Sequence, residues 1–354
     1  MEAAGVKQAD LDELVPVDLV LERFFRQAKT RAERIGASYL GLWTALESST
    51  RGGKRFRPRL VLAAYAGFGG RDPSAAAHLA AAFELLHTAL IVHDDVIDRD
   101  FTRRGGPNVS GRYRDDATTA GIPVPTAEHR GMSTAIIAGD LALFHSYRLL
   151  DRSGLADDLR EALLQILDDA LFASAAGELI DVDFSIARDV PSVEDVVEME
   201  RLKTAVYTFE APLQAGAVLA GADAAHLPVL AQFGRRLGIA YQAMDDLLGV
   251  FGNEQETGKS TLGDLREGKR TLPIAFAATT DAWPGIAAWI GKPDLTDGEA
   301  DQVRALLLSC GAEAFTRRLA AEHAAAALRL LDRLPVEVAQ ELSPFVGPAL
   351  DRSR

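Results

Sequence analysis

Apolar residues recur every three to four positions along most of this chain, the period of an amphipathic helix rather than of a strand. The pattern predicts helices over roughly Leu19–Ile35, Ala75–Val96, Met132–Leu150, Leu155–Ile186, Val193–Ala220 and Ala224–Phe251, with shorter ones from Leu272 onward. Between Ala75 and Val96 apolar side chains fill most positions, so that helix is expected to be buried on nearly all sides. Gly69-Gly70, Gly105-Gly106-Pro107, the stretch from Gly121 to Pro125, Pro191 and Gly252 fall between helices as breakers. Ser192, followed by Glu194 and Asp195, reads as a helix cap with acids in the first turn. The polar, Gly/Pro-rich segment Arg112–Arg130 is expected to be a loop. No fixed-period repeat and no flexible linker interrupts the chain. The expected fold is all-α, a single domain over residues 1–354 with a central buried bundle.

The 354 residues carry a net charge of −13, with 48% hydrophobic and 25% charged residues. That is a globular composition, and its acidity argues against a general nucleic-acid binder. Cys310 is the only cysteine, which excludes an intramolecular disulfide and a cysteine-rich metal site. No uninterrupted apolar run approaches the ~18 residues of a membrane span. The acidic N-terminus lacks the basic flank and apolar stretch of a signal peptide. A cytoplasmic protein without stable membrane insertion is expected.

Candidate chemistry gathers at the end of the most apolar helix. Asp94 and Asp98 lie four residues apart in Asp94-Asp95-Val96-Ile97-Asp98, so their carboxylates share one face and repel unless a cation intervenes. Hard carboxylate oxygens suit Mg²⁺, which also binds substrate phosphates. The motif alone is weak, since chance gives about 0.2 matches in a chain of this composition. Asp157-Asp158-Leu159-Arg160-Glu161 has the same acidic spacing, yet its own arginine marks a solvated face. Around Asp94 the context differs. Arg103 and Arg104 follow in a Gly/Pro turn, and Gly52-Gly53-Lys54-Arg55-Phe56-Arg57-Pro58 gathers cations upstream. Such groups match phosphate oxygens. A second pair, Asp245-Asp246, ends another apolar helix and is followed by Lys259 and by Asp264-Leu265-Arg266-Glu267-Gly268-Lys269-Arg270. Between the pairs, Lys203-Thr204 places a cation and a hydroxyl inside a helix.

The ordered segments GGKRFRP, LLHTALIVHDDVIDRDFTRRG, AGDLAL, GELIDVD, LKTAVYTFEAPL, YQAMDDLLGVFG and TGKSTLGDLREGKRT resemble those of trans-isoprenyl diphosphate synthases, the polyprenyl synthetase family. They span a core of about residues 50–275. The helices of about 276–354 match only in character. The resemblance implies a helical bundle around a deep central cavity, usually in a homodimer. It implies condensation of isopentenyl diphosphate with an allylic diphosphate. Asp94 and Asp98 would hold two Mg²⁺ and Asp245 a third. Arg103, Lys203 and Lys259 would add charge to the allylic diphosphate, and Thr204 and Gln242 would turn oxygen dipoles toward the allylic cation. Lys54, Arg57, His87 and Arg104 would hold isopentenyl diphosphate without metal. His93 and Asp140 are expected to serve structure and packing or to support neighbours, and Gly177-Glu178 to serve packing and line the pocket. Gly249 stands where many relatives carry a third aspartate, which weakens the expected metal site unless Asp264 is reached through water.

The growing product would extend beneath Asp94, so side chains upstream on that helix set its length. Ala89 and Leu90 are not aromatic, and the first bulky candidate is Phe83, eleven residues before Asp94. That depth favours a geranylgeranyl (C20) product, with farnesyl (C15) and C25 or longer as alternatives. A terpene cyclase or a non-catalytic partner subunit are the competing classes; neither would need both the aspartates and the second cationic set.

Overall fold

The computed structural model describes residues 8–252 and 262–351. The all-α expectation holds. Helices α1 (Gln8–Glu33), α2 (Ala37–Ser49), α3 (Phe56–Gly67) and α4 (Pro73–Ile97) come first. A two-stranded hairpin, β1 (Thr102–Arg103) and β2 (Gly106–Pro107), separates them from α5 (Val109–Thr119), α6 (Val124–Asp151) and α7 (Asp157–Ile186). Helix α8 (Val193–Glu200) continues into a π-helix (Arg201–Glu210) and α9 (Ala211–Leu219). Then come a 3₁₀ turn (Ala224–His226), α10 (Leu227–Phe251), α11 (Gly263–Glu267), α12 (Leu272–Ala277), α13 (Trp283–Ile286), α14 (Asp297–Ser309), α15 (Ala312–Leu331), α16 (Val336–Leu342) and α17 (Val346–Leu350).

The chain divides into two compact units. One runs through Leu167 and takes back Ala215–Gly221; the other holds Asp168–Gln214 and continues from Ala222. The sequence reading of one domain contains no such division. Two of its boundaries fall inside α7 and α9, where no linker or composition break marks them.

In the first unit α4 is the central helix, packed on α6, α3 and α1. Asp72 caps it, accepting from the amides of Ser74 at 2.9 Å and Ala75 at 3.2 Å, and Pro73 occupies the first turn, where no amide is lost. Over its most apolar 18 residues the mean hydropathy is 1.6, enough by length and composition to cross a membrane, but 78% of that window is buried. It is a core helix. In the second unit α10 is central, packed on α15 and on the π-helix.

One expectation is corrected. Segment Arg112–Arg130 is not a loop: α5 and the start of α6 cover most of it. Asn108 caps α5, its Oδ1 accepting from Gly111 N at 2.8 Å, and Val109, Tyr113 and Ala117 supply a narrow buried stripe. Pro125 lies in the first turn of α6, where proline is tolerated. Elsewhere local rules held. Ser192 and Asp195 form a reciprocal capping box at α8, and Asp157 pairs with Arg160 at 3.0 Å on an exposed face.

Candidate active site

In the first unit the site grows from the end of α4. Asp94 and Asp98 are both half-buried, and Asp98 closes the helix with its amide on Asp94 O at 2.8 Å. Arg103, on β1, reaches back to Asp94 and Asp95. Its Nε donates to Asp95 Oδ1 at 2.8 Å and its Nη2 to Asp94 Oδ2 at 3.3 Å. Asp95 is buried, and burial pushes its carboxyl up to about 6 against the pull of Arg103. Arg103 is thereby fixed beside the metal-type pair. The hairpin turn that follows has positive φ at Arg104 (53°) and Gly105 (74°), as a two-residue type I′ turn requires. Arg104 Nη1 donates to Arg51 O.

The basic segment before α3 shares this surroundings. Arg55 caps α3 in the left-handed region, with φ 51°. Among the described residues, all three non-glycine residues with positive φ are arginines: Arg55, Arg99 and Arg104. Such strain collects at functional sites. Lys54 is exposed and Arg57 half-buried. Burial first, then Arg57, Arg103, Arg104 and Arg55, push the His87 imidazole well below its ordinary value. His87 is therefore neutral, able both to donate and to accept. His93 packs on α6: a Cβ at Gly139 would lie 2.2 Å from its Nε2. That nitrogen is 3.4 Å from Asp140 Oδ1; His93 packs as expected, whereas the Asp140 side chain is exposed and supports His93 rather than filling a helix contact.

In the second unit Lys203 and Thr204 lie on the π-helix. Its wider i→i+5 turns mark functional sites more often than chance. Small residues allow neighbours to approach it closely. A Cβ at Gly177 of α7 would meet Lys203 N at 2.2 Å, and one at Gly238 of α10 would meet the Ala205 Cβ at 2.4 Å. Lys203 Nζ is held by Asp181 Oδ2 at 2.6 Å and Glu178 Oε2 at 3.1 Å. On α10, Asp245 is half-buried and Asp246 buried. Asp246 accepts from Gln242 Nε2 at 3.1 Å and from Leu272 N at 2.8 Å, and burial pushes it up to about 7. Asp246 thus orients Gln242 and caps α12, while Asp245 keeps the more open position. A Cβ at Gly249 would lie 1.9 Å from Asp264 Oδ2, so the Asp264 carboxylate occupies the helix face one turn beyond Asp245. Lys259 lies outside the described residues.

Among the described residues no three acidic, histidine or cysteine side chains group into a ready-made metal site. The donor set still fits Mg²⁺, which is bound by one or two carboxylates together with substrate phosphates. Asp94 with Asp98, and Asp245 by itself, are sets of that kind.

Residues 42–307 match the family profile Polyprenyl synthetase. The chain belongs to the polyprenyl synthetase family. Over 323 residues it is 32% identical to a geranylgeranyl diphosphate synthase of Mycobacterium tuberculosis, a match covering 88% of this chain and 85% of that one. Over 288 residues it is 32% identical to a geranylfarnesyl diphosphate synthase of Aeropyrum pernix, covering 80% and 84%. Among solved structures, the geranylgeranyl pyrophosphate synthase from Corynebacterium glutamicum, complexed with isoprenyl diphosphate and magnesium, superposes with a TM-score of 0.89 at 30% identity, covering 96% of this chain and 98% of that one. The chain is a trans-prenyl diphosphate synthase, a prenyltransferase making short-chain isoprenyl diphosphates.

Around this candidate site of a polyprenyl synthetase, Glu84 and Glu200 lie outside the ordered segments, while Arg55, Glu178 and Asp181 lie inside them and take their partners from the fold. Arg55 and Glu84 pair at 3.3 Å beneath the basic segment. Glu200 is buried, and burial, then the charge of Asp246, push its carboxyl well above the ordinary range. Asp181 and Glu178 give Lys203 the partners its local sequence lacks. The available signal was an acid inside an otherwise apolar helical run, which needs a compensating partner.

Proposed function

We propose that this enzyme condenses isopentenyl diphosphate with an allylic diphosphate, farnesyl diphosphate by preference, to give geranylgeranyl diphosphate. One observation carries the reading. Helix α4 ends in a carboxylate pair suited to a metal, and it also bears, about two turns before Asp94, a neutral His87 among Arg55, Arg57 and Arg104. The two surroundings suit two diphosphates of different kinds, one brought with metal and one without.

Asp94 and Asp98 hold two Mg²⁺ and Asp245 a third. Magnesium bound there supplies Lewis-acid charge to the leaving diphosphate. Arg103 adds its guanidinium to that charge, and Lys203 exchanges its carboxylate partners for the diphosphate; Lys259 joins them. Gln242, with its amide nitrogen committed to Asp246, turns its oxygen toward the developing allylic cation, as does the Thr204 hydroxyl. Lys54, Arg57, His87 and Arg104 hold isopentenyl diphosphate, whose double bond attacks the cation. Released pyrophosphate takes the final proton, so no protein nucleophile is needed.

The burial pattern of α4 supports the product length. His87, Leu90 and Asp94 are half-buried, whereas Phe83 is fully buried. Eleven residues of helix place Phe83 about 16 Å below Asp94. A prenyl unit extends roughly 5 Å, so about three units fit above the ring. Phe83→Leu is expected to lengthen the product and Ala89→Phe to shorten it, read by sizing dephosphorylated products. Unchanged products from both folded variants would remove Phe83 and Ala89 from the tunnel.

Gly249→Asp tests the second carboxylate motif. The new side chain must expel the Asp264 carboxylate from the α10 face. The expected result is a higher Mg²⁺ concentration for half-maximal rate, by several-fold, with the melting temperature little changed; a lower requirement would mean that the third aspartate was simply missing.

We also read the enzyme as a cytoplasmic homodimer. Ile136, Ile137 and Phe144 are exposed on α6, which supports a second copy covering them. Incubation with Mg²⁺, labelled isopentenyl diphosphate and separate C5, C10 and C15 primers tests the function. A C20 alcohol after dephosphorylation supports the full reading. A C15 or C25 alcohol keeps the reaction and discards the Phe83 floor.

A further inference from the structure

Glu84 is an unexpected residue for its place. It sits in the middle of α4 between Phe83 and Leu85, both fully buried, and is itself 4% exposed. A carboxylate in such surroundings is costly unless paired, and an apolar side chain of similar size would serve stability as well or better. Its Oε1 lies 3.3 Å from Arg55 Nε, an ion pair without hydrogen-bond geometry. Its Oε2 is buried and accepts no hydrogen bond from the described residues.

Arg55 is as unusual. It caps α3 with φ 51°, a conformation that costs an ordinary side chain energy and persists only when its surroundings enforce it. Its side chain is 12% exposed and is gripped from two sides, by Glu84 within and by Asp18 Oδ1 at 3.0 Å nearer the surface. Arg57 follows two residues later in the first turn of α3, so the direction in which α3 starts also decides where Arg57 points. Burial pushes the Glu84 carboxyl above its ordinary range, and Arg55, Arg57 and Arg104 pull against that rise; the same three arginines, after burial, push down the His87 imidazole one turn further along α4. Guanidinium groups converging in this way repel one another. Among those groups Glu84 is the buried acid.

We infer that Glu84 is a positioning residue for the metal-free diphosphate site: it anchors Arg55, fixes the start of α3 and so the aim of Arg57, and offsets the mutual repulsion of Arg55, Arg57 and Arg104. The inference rests on the reading that Lys54, Arg57, His87 and Arg104 hold isopentenyl diphosphate. It adds that the pocket is kept in its binding shape before substrate arrives. Two effects of the acid oppose each other. Its charge weakens attraction for a diphosphate, while its anchoring sets the geometry that bidentate arginine contacts require. The inference assigns the larger effect to anchoring.

The test uses the full chain and the near-isosteric Glu84→Gln. Calorimetric titration with isopentenyl diphosphate in EDTA reads the metal-free site directly. Steady-state kinetics with Mg²⁺ then read KM for each substrate separately. The expected result is about tenfold weaker metal-free binding, equivalent to about 1.4 kcal/mol, with KM for isopentenyl diphosphate rising in step. KM for the allylic substrate should move less than twofold. Glu84→Asp should recover part of the loss. Arg55→Met should act in the same direction, and the double variant Glu84→Gln/Arg55→Met should be no worse than the weaker single, as partners in one interaction behave. Arg55→Met carries the test if Glu84→Gln fails to fold. Equal or tighter metal-free binding in the variants would overturn the inference, and so would an equal rise in both KM values. Wild-type protein that binds no isopentenyl diphosphate in EDTA would instead overturn the site reading on which the inference rests.

Discussion

Asp94→Asn is expected to lower kcat/KM for the allylic diphosphate about a thousandfold, a loss of about 4 kcal/mol of transition-state stabilisation. The substitution is nearly isosteric, and the fold has little reason to respond. Asp94 is half-buried, and Arg103 keeps its contact with Asp95 at 2.6 Å when Asp94 loses its charge. What disappears is one hard oxygen ligand of a pair with i,i+4 spacing. A neutral amide is a poor substitute for a carboxylate on Mg²⁺, and the leaving diphosphate then departs with less of its charge neutralised. Metal-free binding of isopentenyl diphosphate, measured in EDTA, should stay within about twofold of wild type. A loss of less than tenfold in kcat/KM would remove Asp94 from the metal-binding set. A parallel loss of metal-free binding would mean that the two substrates do not have separate sites.

Gly177→Val carries the second large effect, and it acts through the backbone that bears Lys203. The new Cβ would lie 2.2 Å from Lys203 N and 2.6 Å from Lys203 Cα. Both are backbone atoms of the π-helix, so nothing nearby can yield by swinging a side chain. Helix α10 presses on the same π-helix, since a Cβ at Gly238 would meet Ala205 Cβ at 2.4 Å and one at Gly234 would meet Glu210 Cα at 2.8 Å. Overpacking of this kind costs about 1–3 kcal/mol, and the segment that must move bears Lys203 and Thr204. A displacement of the order of 1 Å at a charge-stabilising group is worth about a hundredfold in rate. The expected outcome is a kcat near one hundredth of wild type, with a melting temperature lower by several degrees. Gly177→Ala should give the same signs at smaller size. Wild-type kcat in a folded Gly177→Val protein would show that Lys203 and Thr204 tolerate displacement, and would remove them from the charge-stabilising role.

The elements legible in the sequence were those with strong local signals. Helical period located α4, α6, α7, α10 and the Val193–Ala220 stretch, and Ser192 announced its own cap. The acidic run at Asp157 is separable from Asp94 because its own Arg160 stands three residues away and pairs with it. The segment Arg112–Arg130 misled for a physical reason. Its glycine and prolines fall at the two helix ends, where they are allowed, and its apolar stripe is only a few residues wide. The two-unit division left no trace because helices cross its boundaries. The π-helix was equally silent, since inserting one residue per turn changes no residue type; only Gly177, Gly234 and Gly238 hint that something broad must be accommodated.

The candidate site was legible in its residue types and much less so in its pairings. Asp94, Asp98, Arg103, Lys203 and Asp245 could be singled out one at a time. That Arg103 answers mainly to buried Asp95, that Lys203 rests on Asp181 and Glu178, and that Arg55 is tied to Glu84 are facts of tertiary packing. Gly249 is the sharpest case. From sequence it reads as a missing ligand, whereas in the fold it is the space that admits Asp264.

The measurement that tests the central claim most directly is the stoichiometry of the metal-dependent reaction. Purified full-length protein is given isopentenyl diphosphate and farnesyl diphosphate, with Mg²⁺ and separately with EDTA, and released pyrophosphate is counted against elongated alcohol after dephosphorylation. The account predicts one pyrophosphate for each C20 chain formed with Mg²⁺, and neither product in EDTA, while isopentenyl diphosphate still binds there. Pyrophosphate released from the allylic substrate without any elongated alcohol would contradict it.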